Sequence, residues 1–408
     1  MPRSTIISIG NELLLGKTVN TNLAWLANEL AILGFPVEFS LTIKDDREAI
    51  FQAVQECWET CEIVITTGGL GPTQDDITKS VIAEFFGREL VFDENIWAQV
   101  QKRFSARHMP TPDVNRSQAL VPQGFKALKN ERGTAPGLFF ESGDNCFFAF
   151  AGVPVEMRYV FQNHAIQILK EKYGECPAVI QSTLHTFNIS ESALAELLNE
   201  LSIPEDVNMA WLPQTGRVDL RFYGTNPESV EQAVKSCLSL VSKYVWGRDA
   251  DTPVSVLHNL LRNKGLTFSA AESCTGGMIQ KMITELAGAS DVFLGGAVSY
   301  SNQLKQSIGV SAETLSKFGA VSEECALEMV QGIKNLTESS TAISVTGIAG
   351  PEGGTDDKPV GTVCYGFSVL TKVWSLTQNF SGDRALIRHK ASEFAILHLI
   401  HYLQGNMV

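Results

Sequence analysis

The sequence predicts a multidomain α/β protein: a mostly parallel sheet in the amino-terminal domain, a small α/β connector, and a second α/β domain at the carboxy terminus. Three observations predict it. The chain has 408 residues, more than one hydrophobic core usually serves, and a prior of roughly 150 residues per domain divides it into about two or three units. Short β-type runs alternate with helical patterns from the start, which is the rhythm of a parallel sheet. Glycine clusters follow β-type runs near both ends of the chain.

The first domain spans residues 1–172. Thr5 to Ile9, Val37 to Ile43 and Glu62 to Thr67 read as strands, and Asn22 to Leu33 and Arg47 to Trp58 as the helices between them. In such sheets ligands bind beyond the carboxyl ends of the strands, where Gly10-Asn11-Glu12 and Gly68-Gly69-Leu70-Gly71-Pro72 both fall. A strand near Cys146 to Ala151 and a helical stretch, Glu156 to Glu171, close the unit. The connector, 176–248, holds a helix at Ser190 to Leu201, an alternating strand at Val218 to Tyr223 and an amphipathic helix at Pro227 to Val245. It contains no chemical motif. The last domain, 252–408, begins with a helix at Val254 to Asn263 and a strand at Thr267 to Ala270.

Composition narrows the function. A formal net charge of -13 without any Lys/Arg-rich run repels phosphate backbones, so nucleic acid is not an expected partner. No apolar run approaches the roughly 18 to 20 residues that span a bilayer, and the opening run from Thr5 to Gly10 is too short for a signal segment. No membrane association is expected. Eight cysteines without a CxxC pair signal neither a zinc ribbon nor a disulfide framework, and a cytoplasmic protein with free thiols is expected. His398 and His401, three apart in an apolar terminal helix, read as structural rather than metal-binding.

The densest chemistry lies in the last domain. Ala271-Glu272-Ser273-Cys274-Thr275-Gly276-Gly277 sits between a strand and a helix at Met278 to Leu286, where free helix N–H groups can stabilise an oxyanion or a phosphate. Alternatively Ser273 or Thr275 merely caps that helix. A serine nucleophile needs a base, and a lysine becomes one when burial lowers its pKa. Lys305 of Gly295-Gly296-Ala297-Val298-Ser299-Tyr300-Ser301-Asn302-Gln303-Leu304-Lys305 is the candidate, with Tyr300 to relay or donate a proton. A solvated helix lysine is the bland alternative. Thr346-Gly347-Ile348-Ala349-Gly350-Pro351-Glu352-Gly353-Gly354-Thr355 can form a nest of N–H groups around an anion, or simply a flexible loop. Cys274 is a rival nucleophile, but a thiol of this kind wants a partner histidine and none is near.

These clusters in this order, with Ser381-Gly382-Asp383-Arg384 after them, resemble the nicotinamide mononucleotide amidohydrolases (PncC type) that form the carboxy-terminal domain of CinA proteins. The resemblance covers residues 252–408 and implies Ser273, Tyr300 and Lys305 as the catalytic group. The implied reaction hydrolyses the carboxamide of nicotinamide mononucleotide, releasing ammonia and nicotinate mononucleotide without a cofactor. Thr275, Gly276, Gly277, Thr346, Gly347, Gly350, Gly353, Gly354 and Thr355 would line the substrate, and Arg384 or Arg388 would hold its phosphate.

In the first domain, Thr66-Thr67-Gly68-Gly69-Leu70-Gly71-Pro72-Thr73-Gln74-Asp75-Asp76 offers adjacent carboxylates on a glycine-rich loop, which suits a hard divalent ion held with phosphates. Glu12 could join Asp75 and Asp76, or an aspartate could cap the helix that follows. The pattern, continued by Asn115-Arg116-Ser117-Gln118-Ala119, Gly133-Thr134-Ala135-Pro136-Gly137 and Gly152-Val153-Pro154, resembles the molybdopterin-binding (MoaB/MogA-like) domain that opens CinA proteins. That resemblance implies metal-dependent hydrolysis of ADP-ribose, ligand contacts from Gly10, Asn11, Gly68, Gly69, Gly71 and Thr73, and a homodimer. Asn11 stands where relatives often carry an acidic residue. The rival is a non-catalytic nucleotide-sensing or competence-associated interaction protein that keeps both pockets.

Overall fold

The computed structural model describes residues 2–406, so only residues 1, 407 and 408 of the expected first and last domains lie outside it. It forms two compact units, Met1–Ile180 and Gln181–Val408.

In the first unit β1 (Ser4–Ile9), β2 (Val37–Ile43) and β3 (Ile63–Thr67) alternate with the helices Thr21–Ile32 and Arg47–Thr60. A two-stranded sheet of β4 (Leu90–Phe92) and β5 (Leu120–Pro122) follows, then β6 (Lys126–Leu128), β7 (Gly137–Ser142) and β8 (Asn145–Phe150). The main sheet runs β2-β1-β3-β8-β7-β6. Pairs β1–β2, β1–β3 and β3–β8 are parallel, and the β6–β7–β8 edge is antiparallel. β1 and β3 are buried along their whole length, as central parallel strands covered by helices on both faces must be. Ile50 and Val54 pack on one face with Val64 and Phe147, and Leu26 and Leu30 on the other with Ile6, Ile65 and Phe148. Local chemistry sets the helix starts: Asn20 accepts the Leu23 N–H at 3.0 Å and Asp46 accepts the Ala49 N–H at 3.1 Å.

The second unit begins with β9 (Ile180–Thr186), β10 (Val207–Gln214), β11 (Arg217–Gly224) and β12 (Val245–Arg248), ordered β10-β11-β9-β12. β10 has no counterpart in the sequence reading. It carries Pro213, is only partly buried and pairs with β11 at the sheet edge, the place where proline is tolerated in a strand. A five-stranded sheet follows, built from β13 (Phe268–Glu272), β14 (Phe293–Val298), β15 (Thr341–Gly347), β16 (Thr362–Val369) and β17 (Lys372–Asn379) in the order β14-β13-β15-β16-β17. Its β13–β14 and β13–β15 pairs are parallel and the remainder antiparallel. The helix Arg384–Gln404 buries Ile387, Ala391, Ala395 and Leu399 in one core with Tyr365 and Phe367, and the helix Glu323–Thr337 places Met329, Val330 and Ile333 in another with Ala271 and Ala342. Phe187 and Trp246 of the connector join Leu257, Leu261 and Ile400 in the first of these cores. That shared burial makes the connector and the last segment one unit.

Among the described residues no helix is long and apolar enough to cross a membrane. All eight cysteines are free. His401 is buried and His398 half-buried in the last helix, and His398 Nε2 accepts the Trp374 indole N–H at 3.2 Å.

Candidate active site

The parallel strands β13 and β15 end side by side, so the chain leaving Glu272 turns beside the chain leaving Val345. The Ser273 N–H donates to Val345 O at 2.8 Å, fixing the residue at the sheet's carboxyl edge. Gly276 then takes φ 63° and Gly277 φ 90°, left-handed conformations that glycine adopts without strain. The turn delivers Ser273 to a cavity of about 230 Å³ bordered by Cys274, Tyr300, Lys305, Thr346, Gly347 and Arg384, together with Asn302, Ala320, Val321 and Ala349.

Lys305 is fixed by the next cluster. Ser301 accepts the Leu304 N–H at 3.2 Å and starts the helix Asn302–Ser307, whose first turn carries Lys305 inward. Its side chain is 1 % exposed. Nζ lies 2.9 Å from Ser273 Oγ and donates to Ser299 O at 2.8 Å and Tyr300 O at 3.5 Å. A neutral amine has two N–H donors and one lone pair. The two carbonyls can occupy the donors while the lone pair faces the serine hydroxyl. Burial lowers its pKa from the ordinary value. The solvated-lysine alternative is thereby excluded.

Several expected roles change. Neither Ser273 nor Thr275 caps the helix Met278–Thr284; the buried Glu272 carboxylate does, accepting the Ile279 N–H at 3.2 Å and the Gln280 N–H at 2.9 Å. Those helix donors are therefore not free for an oxyanion, which corrects the expectation that they stabilise one. The Tyr300 ring is 60 % exposed, and its hydroxyl accepts from Arg384 Nη2 at 3.1 Å instead of meeting Ser273 or Lys305. Cys274 is buried, which pushes its thiol up to about 12 and leaves it unsuited to attack at neutral pH.

The two arginines separate. Arg384 Nη1 donates to Gly350 O at 2.8 Å, and its guanidinium borders the cavity beside Tyr300. Arg388, one turn further along the same helix, is absent from the cavity wall and donates to Cys274 O and Thr275 O. In the third cluster Thr346 and Gly347 line the cavity and the Gly350 carbonyl supports Arg384, whereas Gly353, Gly354 and Thr355 are exposed away from it. The glycine loop is pinned by Lys358, whose Nζ donates to Phe318 O at 3.0 Å and Val321 O at 2.6 Å. Asn302, Ala320, Val321 and Glu272 were missed from sequence. Asn302 had a signal in its place in the Ser-Asn-x-x-Lys run, and Glu272 in its place beside Ser273 in the first cluster.

In the first unit the loops after β1 and β3 meet as expected. Gly68 has φ 116°, and a Cβ there would lie 2.1 Å from Ile9 O, so the two loops touch only because it is glycine. Asn22 Nδ2 ties this edge together by donating to Thr67 Oγ1 at 3.0 Å and Gly152 O at 2.8 Å. The Asp76 carboxylate is taken up inside its own loop, accepting the Thr73 N–H at 2.9 Å and hydroxyl at 2.5 Å, and the Asn11 N–H turns to Asp45 at 2.8 Å. Glu12 and Asp75 are exposed. Among the described residues no three His, Cys, Asp or Glu side chains gather in a metal-binding group. Glu12, Asp75 and Asp76 thus do not fit the expected ion as they stand, because Asp76 is held by hydrogen bonds inside its own loop and, among the described residues, the three carboxylates do not gather. Lys79, also missed, is buried with Nζ donating to Ser117 O at 3.0 Å and Gln118 O at 3.3 Å, and burial pushes its pKa down to about 8.

Three family descriptions match the chain in series: "Probable molybdopterin binding domain" over residues 5–171, "Damage-inducible protein CinA KH domain" over 181–247 and "CinA C-terminal domain" over 251–403. A putative competence-damage inducible protein of Caldicellulosiruptor saccharolyticus is 39% identical over 401 residues, covering 96% of this chain and 97% of its own. A CinA-like protein of Cytophaga hutchinsonii is 36% identical over 404 residues, 97% of this chain and 96% of its own. The solved structure of the protein CinA with unknown function from Thermoplasma acidophilum is 34% identical, covers 41% of this chain and 98% of its own, and has a TM-score of 0.38.

Proposed function

The chain belongs to the CinA family, and from that premise we propose that its carboxy-terminal site is a serine–lysine amidohydrolase acting on nicotinamide mononucleotide. The observation that carries the reading is the buried contact of Lys305 Nζ with Ser273 Oγ, 2.9 Å long, in a cavity that also presents Arg384. A ligand-sensing domain has no need of a desolvated amine beside a serine hydroxyl, since burying it destabilises the fold.

The reaction follows from these positions. Ser273 Oγ attacks the carboxamide carbon as its proton passes to neutral Lys305 Nζ, and the carbonyl π pair moves to oxygen. The tetrahedral intermediate collapses, the C–N bond breaks, and Lys305 returns the proton so that ammonia leaves. Water then attacks the acyl-serine, giving one proton to Lys305. Ser273 departs with that proton, and nicotinate mononucleotide leaves as the carboxylate, the second water proton passing to solvent, where ammonia takes it up. Arg384 is the cation on the cavity wall suited to a substrate phosphate. Tyr300 orients Arg384 and offers its exposed ring to the substrate.

For the amino-terminal crevice we propose binding of an ADP-ribose-like nucleotide between the Gly10 and Gly68–Gly71 loops. Among the described residues its carboxylates do not assemble an ion site. The deciding experiment supplies the purified protein with nicotinamide mononucleotide and measures ammonia and nicotinate mononucleotide. Equal release of both supports the amidohydrolase, and absence of both at high enzyme concentration favours the non-catalytic reading.

A further inference from the structure

We propose that Lys358 is a positioning residue that holds the segment from Phe318 to Val321 in place as the part of the cavity wall on which the substrate ring rests. This builds on the amidohydrolase reading of the site. Ala320 and Val321 border the Ser273 cavity, and Lys358 does not. The segment leaves the helix Ala312–Lys317, turns at Gly319 with φ 82°, and ends where Ser322 caps the helix Glu323–Thr337. Among the described residues, none of its four carbonyl oxygens receives a backbone N–H. Side chains hold all four. Ser322 Oγ donates to Gly319 O at 2.9 Å and Thr346 Oγ1 to Ala320 O at 2.7 Å, while Lys358 Nζ donates to Phe318 O at 3.0 Å and to Val321 O at 2.6 Å. Ser322 follows the segment directly in the chain. Thr346 and Lys358 are therefore its ties to distant parts of the domain, and the one ammonium spans both its ends.

The loop that carries Lys358 is itself well fixed. Its base is closed by the Ile348 N–H on Thr362 O at 2.9 Å and the Gly361 N–H on Ile348 O at 2.8 Å. Nearer the tip, the Thr355 N–H donates to Lys358 O at 2.9 Å and the Lys358 N–H to Thr355 Oγ1 at 3.1 Å. A Cβ on Gly350 would lie 2.6 Å from Val360 Cγ1, so the loop folds onto itself only with glycine there. The same loop gives Gly350 O to Arg384, and thus supports the cavity wall twice, through Arg384 and through Lys358. Ala320 and Val321 add small apolar side chains to a wall that also presents Ser273, Asn302, Lys305 and Arg384. Apolar surface beside a few placed polar groups suits the flat face of a carboxamide-bearing ring. Ser273 and Lys305 are fixed independently, through Val345 O and Ser299 O. Lys358 therefore governs where the ring rests and leaves the reacting pair alone.

The test compares the full-length protein with Lys358→Met and Lys358→Arg on nicotinamide mononucleotide and on its dephosphorylated riboside. A released wall predicts a rise in KM of about tenfold on both substrates, with kcat kept within about threefold, in the methionine variant. The arginine variant, whose guanidinium can still donate to two carbonyls, should recover most of that loss. Lys358→Gln repeats the measurement should the methionine variant not fold. A rise in KM confined to the phosphorylated substrate overturns the proposal and makes Lys358 a phosphate ligand. A fall in kcat with KM kept also overturns it, because Lys358 would then act on the Ser273–Lys305 pair. Calorimetric titration with nicotinate mononucleotide reads the wall without any turnover. Binding weakened by about tenfold in the methionine variant and restored in the arginine variant sustains the proposal even if the wild-type protein hydrolyses nothing. Equal binding by all three proteins, or none by the wild type, overturns it.

Discussion

Lys305 Nζ meets Ser273 Oγ at 2.9 Å from a residue that is 1 % exposed. Burial therefore favours the neutral amine. If the amine is the base, kcat/KM rises with pH through the depressed pKa and levels above it. Lys305→Arg cannot lose a proton and should lower turnover at least about 1,000-fold while changing ligand affinity little. A pH–rate profile and a binding titration of that variant check both halves, and near-normal turnover would make Lys305 only a ligand.

The same burial has a stability signature. With its folded pKa below the ordinary value near 10.5, Lys305 binds fewer protons in the folded chain than in the unfolded one between those two values. Stability contributed by this group therefore rises with pH across that window. Lys305→Met removes the cost and should raise the melting temperature of the second unit at neutral pH, by about 2–4 °C for each kcal/mol gained. Calorimetry on the variant reads it, and an unchanged or lower value contradicts the desolvation argument.

Ser273→Ala should abolish deamidation and leave the fold intact, because one hydroxyl is deleted from a turn held by backbone bonds. Cys274→Ala should keep most of the activity. At pH 8 iodoacetamide should leave Cys274 unmodified, since burial pushes its thiol up to about 12. Peptide mapping after alkylation settles the second point, and loss of activity in the cysteine variant alone would reverse the nucleophile assignment.

Much of this site was legible because its chemistry is local in sequence. The Ser273 turn, the Ser301 cap and the Gly347 loop each lie within a few residues of a strand end, and the βαβαβ rhythm of the first domain arises from periodicities within single elements. What stayed hidden depends on distance. Arg384 and Arg388 look equivalent four apart on one helix, yet one borders the cavity and the other reaches behind the turn. Glu272 reads as one more motif residue until β13 buries it under a helix start. Glu12, Asp75 and Asp76 read as an ion site from the proximity of two loops, and the hydrogen bonds that hold Asp76 inside its own loop are side-chain detail that loop proximity does not reveal.

In the amino-terminal crevice, Asp76→Asn trades a two-donor acceptor for an amide and should loosen the loop from Gly68 to Thr78. Affinity for ADP-ribose should fall about tenfold, the loss of one charged hydrogen bond. A chelator should leave wild-type affinity unchanged if the carboxylate acts only within the loop. Calorimetric titration with and without chelator reads both, and chelator sensitivity would restore the ion.

Acid should destabilise the second unit through its last helix. His398 and His401 are held down to about 4 by burial, so from about pH 6.5 to 4 the unfolded chain takes up protons that the folded one refuses, and stability falls with pH. Urea unfolding at several pH values should show that slope, and His401→Leu should remove its share. An unchanged slope in that variant would place the acid sensitivity elsewhere.

The helix Arg384–Gln404 begins with the cavity's arginine in its first turn, held by an Asp383 cap that accepts the Leu386 N–H at 2.8 Å. First turns fray at temperatures where the buried remainder of a helix stays intact. Warming should therefore release Arg384 from Tyr300 and Gly350 while Arg388 and the core residues behind it still hold. Catalysis would fade reversibly below the melting point, giving the protein an upper working temperature set by one helix end rather than by its core.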